Sequence, residues 1–142
     1  MMQKTTNKIN IQYYKTPFAE YIQEDSAVLL QTRKELDEYF SGERKEFTIP
    51  LLMLGSDFQK SVWNALLQIP YGKTASYLEL SKTIGNEKAV RAVANANGAN
   101  AMSIVIPCHR IIGTNGKLTG YAGGLPLKKK LLEIENNLFT QR

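Results

Sequence analysis

The stretch "SYLELSKTIGNEKAVRAVANAN", residues 76–97, carries a helix start, a helix stop and a second helix start in close succession. Ser76 followed three residues later by Glu79 is a capping box, in which each side chain satisfies an amide the other's backbone leaves open. Tyr77, Leu80 and Ile84 then form an apolar stripe, and Gly85 is the terminator. Asn86 is placed to cap the next helix, "EKAVRAVANAN". Two short helices joined by a glycine-containing turn have the grammar of a helix-turn-helix. Many helical domains contain such a corner, so the rest of the chain must decide what this one meets.

Upstream, "SDFQKSVWNALLQIPYG" repeats the signals. Ser56 and Gln59 form a second capping box, and Phe58, Val62, Ala65, Leu66 and Ile69 follow helical spacing until Pro70 and Gly72 stop it. The following helix is built from small residues, Ala89, Ala92, Ala94 and Ala96, with Lys88 and Arg91 as its long cations. A slim helix suits close approach to another surface, and a tightly packed core helix would read the same way. Downstream, "SIVIP" reads as a short buried strand that "RII" continues, "GTNGK" as a turn and "GYAGG" as a glycine-rich loop. Pro126 opens a last helix whose apolar face is Leu127, Leu131, Leu132, Ile134 and Leu138. Towards the N-terminus, "INIQYY" at 9–14 has strand-like composition. The spacing predicts a helix over 28–40 ended by Ser41 and Gly42, and 43–55 reads as a linker.

With 142 residues, 43% hydrophobic and 22% charged, the chain is the size of one ordinary domain or of one domain and a small appendage, with a real core. No apolar run approaches the roughly 20 residues of a membrane helix. The first residues lack the apolar core of a signal peptide, so a cytoplasmic protein is expected. The charge of +5 is uneven. Residues 1–47 carry seven basic and eight acidic side chains, net −1, and residues 48–142 carry eleven and five, net +6. A polyanionic partner such as nucleic acid fits the basic part, as does a plain solvated surface.

That basic part holds the only cysteine and the only histidine, adjacent at Cys108 and His109 in "IVIPCHRII". One thiol cannot form an internal disulfide, and one thiol with one imidazole cannot build a zinc site. Cys108 is therefore either a buried hydrophobe or a reactive group. A thiol attacks as thiolate, and at a free pKa of about 8.5 it needs a base at neutral pH. Neighbours on an extended chain face opposite sides, so Cys108 and His109 can cooperate only if the chain turns or a water bridges them. A base also wants its second ring nitrogen held, and Glu135 is a candidate holder.

These residues together resemble the O6-alkylguanine-DNA alkyltransferases, the methylated-DNA–protein-cysteine methyltransferases. The likeness runs almost continuously from "FQKSVWNALLQIPYGKTASY" through "RAVANANGAN", "SIVIPCHR" and "GTNGKLTGYAGGLPLKKKLLEIE", residues 57 to about 136. It implies an α+β fold: a shortened N-terminal α/β segment, 1–48, before a winged helix-turn-helix-like catalytic domain, 49–142. It implies single-turnover repair, in which the alkyl group of O6-alkylguanine, and of O4-alkylthymine, passes to the protein's own cysteine. On this resemblance Cys108 is the acceptor, His109 takes its proton through a water, Glu135 orients His109, and Asn100 braces the network. Tyr77 donates to the departing guanine. Arg91 fills the gap left by a flipped nucleotide, with Ala92 and Asn97 on the same DNA-binding helix. The carbonyls of Cys108 and Ile111 and the loop at Tyr121 and Ala122 hold the base. The implied partner is double-stranded DNA entered through the minor groove by a monomer, with no cofactor, no metal and no membrane. Family members usually have a longer N-terminal sheet, and the stretch here is too short for all its strands. Alkyltransferase-like proteins share the scaffold but replace the cysteine, which Cys108 argues against. A cysteine hydrolase or a plain winged-helix regulator would leave the likeness unexplained.

Overall fold

The computed structural model describes residues 26–135 in full and, ahead of them, the backbone of three strands, β1 (Met2–Lys4), β2 (Gln12–Lys15) and β3 (Glu20–Gln23). The chain divides into two compact units, Met1–Gly55 and Ser56–Arg142.

In the first unit the strands form an antiparallel sheet in the order β1-β2-β3, with Tyr13 opposite Gln3 and Ile22. The segment 9–14 thus supplies β2 from Gln12 onward, and its first residues lie outside the described ones. Helix α1 (Ala27–Phe40) starts where the Ser26 hydroxyl accepts from the Leu29 amide at 3.3 Å and ends at Ser41, one residue from the limits the spacing predicts. Residues 43–55 contain no helix or strand. Tyr39 is fully buried and packs edge-on to Phe40 and tilted against Phe47. Glu35 is buried too. The Thr48 hydroxyl donates to Oε2 at 2.6 Å, the Thr48 amide to Oε1 at 2.8 Å, and Gln31 Nε2 to Oε2 at 2.9 Å. These donors, the Thr48 hydroxyl first, hold its carboxyl down at about 2.

The second unit is built on both capping boxes. Ser56 and Gln59 open α2 (Asp57–Leu67), and Ser76 and Glu79 open α3 (Tyr77–Thr83). Past α3, Gly85 takes φ +81°, a conformation that favours glycine. The Asn86 amide then reaches the Ser81 carbonyl at 2.9 Å and the Gly85 amide the Lys82 carbonyl at 3.0 Å, a Schellman stop. Asn86 makes no side-chain cap. A 3-10 turn, Glu87–Ala89, leads into α4 (Val90–Gly98) instead. Trp63 of α2 donates its indole N–H to the Ala96 carbonyl at 2.8 Å, fixing α4 across α2. Val62, Leu66, Leu80, Val93, Ile106, Ile111, Leu131 and Leu132 are the core.

Two expectations fail here. "SIVIP" is not a strand: beyond an isolated bridge between Ser103 and Ile106 it is a tight turn, in which the Ile106 amide meets the Met102 carbonyl at 2.9 Å. Ile104 sits at φ +77°, which costs a β-branched residue on the order of 1–3 kcal/mol. Asn100 enforces it by donating Nδ2 to the Ile106 carbonyl at 2.8 Å and accepting from the Met102 amide at 2.9 Å. The chain then forms a 3-10 turn, Cys108–Arg110, before β5 (Ile111–Ile112) pairs parallel with β4 (Ala75–Ser76). The second failure is in α5 (Leu125–Ile134). Leu127 is 41% exposed, while Lys128 is fully buried; Leu138 lies outside the described residues.

Glu35→Gln should lower the melting temperature at pH 7. The folded carboxyl is held below its unfolded value of 4.5, so its contribution is complete above 4.5 and lost as pH falls towards 2. The gap between wild type and variant should therefore close across that window, and a gap independent of pH would refute the assignment.

Candidate active site

The chain turns at Pro107, the break in strand alternation that cooperation between thiol and imidazole would require. Pro107 has φ −81° and ψ 64°, an inverse γ-turn, and the Cys108 amide closes it on the Ile106 carbonyl at 2.8 Å. The 3-10 turn then points Cys108 and His109 away from the alternation of a strand. Cys108 lines an open-sided cavity of about 310 Å³ with Tyr77, Asn97, Asn100, Tyr121 and Ala122. His109 is not in that wall; it is fully buried.

Glu135 caps α5 and is almost fully buried. Its Oε2 is 2.7 Å from His109 Nε2 and 3.0 Å from Arg110 Nη2. Its Oε1 accepts from Arg110 Nε at 2.8 Å and from the Gly72 amide at 3.3 Å. Four donors for two oxygens saturate an ionised carboxylate. Arg110 spends its remaining reach on the Ile69 carbonyl at 2.7 Å and lies over the Tyr71 ring. Gly72, read in the sequence as a helix stop, has φ +79°, and a Cβ there would stand 3.2 Å from the Glu135 carbonyl.

This arrangement assigns the tautomer. A carboxylate only accepts, so His109 Nε2 carries the hydrogen and Nδ1 holds the lone pair. Nδ1 is buried and has no hydrogen-bond partner among the described residues, the thiol included. Burial lowers the His109 pKa against the opposing pull of Glu135, which keeps the ring neutral. Burial raises that of Cys108, although Asn100, Ser103 and Lys128 work the other way. Both shifts favour the neutral forms, a protonated thiol beside an uncharged imidazole.

The other named residues divide by exposure. Arg91 and Ala92 are exposed on α4, whereas Asn97, further along the same helix, is buried in the cavity wall. Ile111 is fully buried, and its amide donates to the Cys108 carbonyl. Arg110 and Lys128 were not singled out by sequence. The signal for Arg110 was its place directly after His109 in "PCHR"; a lysine among leucines gave none for Lys128. Among the described residues no group of three or more His, Cys, Asp or Glu side chains is placed to hold a metal ion.

A helix-turn-helix whose second helix borders a cysteine cavity defines a DNA-binding protein with a nucleophilic centre. Comparison narrows the class. Residues 57–137 match the family described as 6-O-methylguanine DNA methyltransferase, DNA binding domain, and residues 8–53 match its ribonuclease-like domain. The chain is 52% identical over 114 residues to a methylated-DNA–protein-cysteine methyltransferase of Methanosarcina acetivorans, covering 80% of this chain and 73% of that one. The crystal structure of Mycobacterium tuberculosis OGT in complex with DNA is similar at TM-score 0.76 and 39% identity, over 94% of this chain and 91% of that one. That of S. pombe Atl1 with damaged DNA containing O6-carboxymethylguanine is similar at TM-score 0.52 and 30% identity, over 59% and 80%. The chain belongs to the 6-O-methylguanine DNA methyltransferase family.

Arg110→Met should raise the His109 pKa, because Arg110 opposes protonation of the ring and its loss leaves the Glu135 charge less compensated. It should also destabilise the fold by about 3–5 kcal/mol, as for any buried pair that loses one partner. The imidazole proton signal followed against pH checks the first point; an unmoved titration in a folded variant would show that Arg110 does not set it.

Proposed function

We propose that this chain repairs alkylated DNA by direct reversal, moving the alkyl group from O6 of guanine to Cys108 Sγ once per molecule. The observation that carries this reading is a cavity in which Cys108 faces Tyr77 of α3 and Asn97 of α4, with the His109–Glu135–Arg110 network behind it. The thiol proton passes through a water to His109 Nδ1. Sγ displaces the alkyl carbon in line, the carbon–O6 bond breaks, and the departing guanine takes a proton from the Tyr77 hydroxyl. The imidazolium proton then returns to that phenolate through solvent, so the net transfer is thiol proton to base and alkyl group to sulfur.

An alkyl carbon inside a stacked duplex is out of reach, so the nucleotide must rotate out at a cost of a few kcal/mol. Arg91, exposed on α4, supports the role of a finger that fills the gap. The small residues of α4 suit entry into the minor groove by a protein acting as a monomer. The carbonyls of Cys108 and Ile111 and the backbone at Tyr121 and Ala122 would hold the base. The Cys108 carbonyl already accepts from the Ile111 amide and keeps a second lone pair. O4-alkylthymine, presenting its alkyl carbon in the same manner, is the second substrate of this reading.

Intact mass after exposure to excess O6-methylguanine DNA tests it. One methyl group should be gained per molecule, on the Cys108 peptide alone, and none by Cys108→Ala. Product in excess of protein with no gain in mass would mean hydrolysis and overturn the reading.

Arg91→Ala should slow repair of duplex DNA at least tenfold more than reaction with free O6-benzylguanine, which needs no flipping. Single-turnover rates on both substrates check this, and equal losses would remove Arg91 from the finger role.

A further inference from the structure

Helix α4 gives the cavity wall Ala94, Asn97 and Gly98. They stand at i, i+3 and i+4, one face of the helix, and of the three only Asn97 has a polar side chain. Asn97 is 5% exposed. Its Oδ1 is buried and accepts no hydrogen bond among the described residues. Nδ2 donates none there either, and it is the end of the amide that is not sealed from solvent. Asn100, also in the wall, spends both ends on the chain, Nδ2 on the Ile106 carbonyl and Oδ1 on the Met102 amide. Buried side-chain amides are nearly always paired in this way, because an unpaired one gives up its water for nothing. Packing thus gives Asn97 no reason to be polar, and its place in the cavity wall does.

We infer that Asn97 binds the base that occupies the cavity, its Nδ2 donating to a ring nitrogen of the flipped purine. The inference rests on the repair reading of the same cavity. Carbonyls only accept, so those of Cys108 and Ile111 suit the exocyclic amine of O6-alkylguanine; an amide only donates, so that of Ala122 suits O6. The ring nitrogens N3 and N7 remain as acceptors. The Tyr77 hydroxyl can serve one of them. Of the other polar side chains in the wall, Asn100 is already spent, and Ser103 sits by the Cys108 thiol and the Tyr121 hydroxyl. Asn97 is the donor left for the second ring nitrogen. Helix α4 then acts from both ends: Arg91 in its first turn fills the gap in the duplex, and Asn97 in its last turn holds the base that has left it.

The probes are free O6-benzylguanine and its 3-deaza and 7-deaza analogues, each lacking one ring acceptor. Single-turnover rates are compared between wild type and Asn97→Leu. With the parent base the variant should react about tenfold more slowly, the scale of one neutral hydrogen bond. One of the two analogues should show a loss of about tenfold with wild type and none with the variant. The variant should also melt no lower than wild type, because it loses an amide that had no partner. An unchanged rate with the parent base overturns the inference, as do analogue losses of the same size in both proteins, whatever the melting temperature. If Asn97→Leu does not fold, Asn97→Ala is compared on the same three bases with the same expected and contrary results. A wild type that gains no alkyl group from O6-benzylguanine or from alkylated DNA faults the repair reading and takes this inference with it. Transfer without an analogue loss specific to Asn97 faults the inference alone.

Discussion

Everything in the catalytic unit converges on the carboxylate of Glu135. It is a negative charge with almost no water access, so it can exist only with all its lone pairs in use. Arg110 supplies two donors, Gly72 one and His109 one. The partners come from two parts of the chain, Gly72 from the turn after α2 and His109 and Arg110 from the 3-10 turn, and Glu135 itself ends α5. The Tyr71 hydroxyl adds a further tie by donating to the Ile134 carbonyl at 3.0 Å. Burial of this charge therefore sets which ring nitrogen of His109 is free.

The same burial sets the chemistry. An exposed thiol would ionise more readily, but it would also be open to every oxidant and electrophile. Burial pushes Cys108 up and His109 down, so neither is charged at rest. Glu135, which opposes this for the ring, is already in place 2.7 Å from His109 Nε2. Preorganised charges of this kind need no rearrangement during the reaction. A dry, strained seat suits a protein that acts once, since nothing has to be released from sulfur afterwards.

Much of this was legible in the sequence because its signals are local. Ser56–Gln59 and Ser76–Glu79 announce α2 and α3 within four residues each, and Gly85 announces the stop between the helices. Cys108, His109 and Glu135 stand out by rarity and by the family likeness. What was missed depends on long-range pairing. "SIVIP" has strand composition, but Asn100, outside it, bends it into a turn and forces Ile104 to positive φ. Arg110 and Lys128 look like surface cations until the fold places a carboxylate beside one and loop carbonyls beside the other. Leu127 joined the apolar stripe by spacing, yet the face of α5 is rotated so that Lys128 is the residue buried.

The central claim is that Glu135 fixes a neutral His109 with its proton on Nε2 and its lone pair on Nδ1. With one histidine in the chain, its nitrogen-15 spectrum needs no assignment by mutation. At pH 7 the account predicts a single neutral ring with protonated Nε2 and a bare Nδ1. A proton on Nδ1, or an imidazolium at that pH, would contradict it, because Nδ1 would then have no lone pair with which to accept a proton.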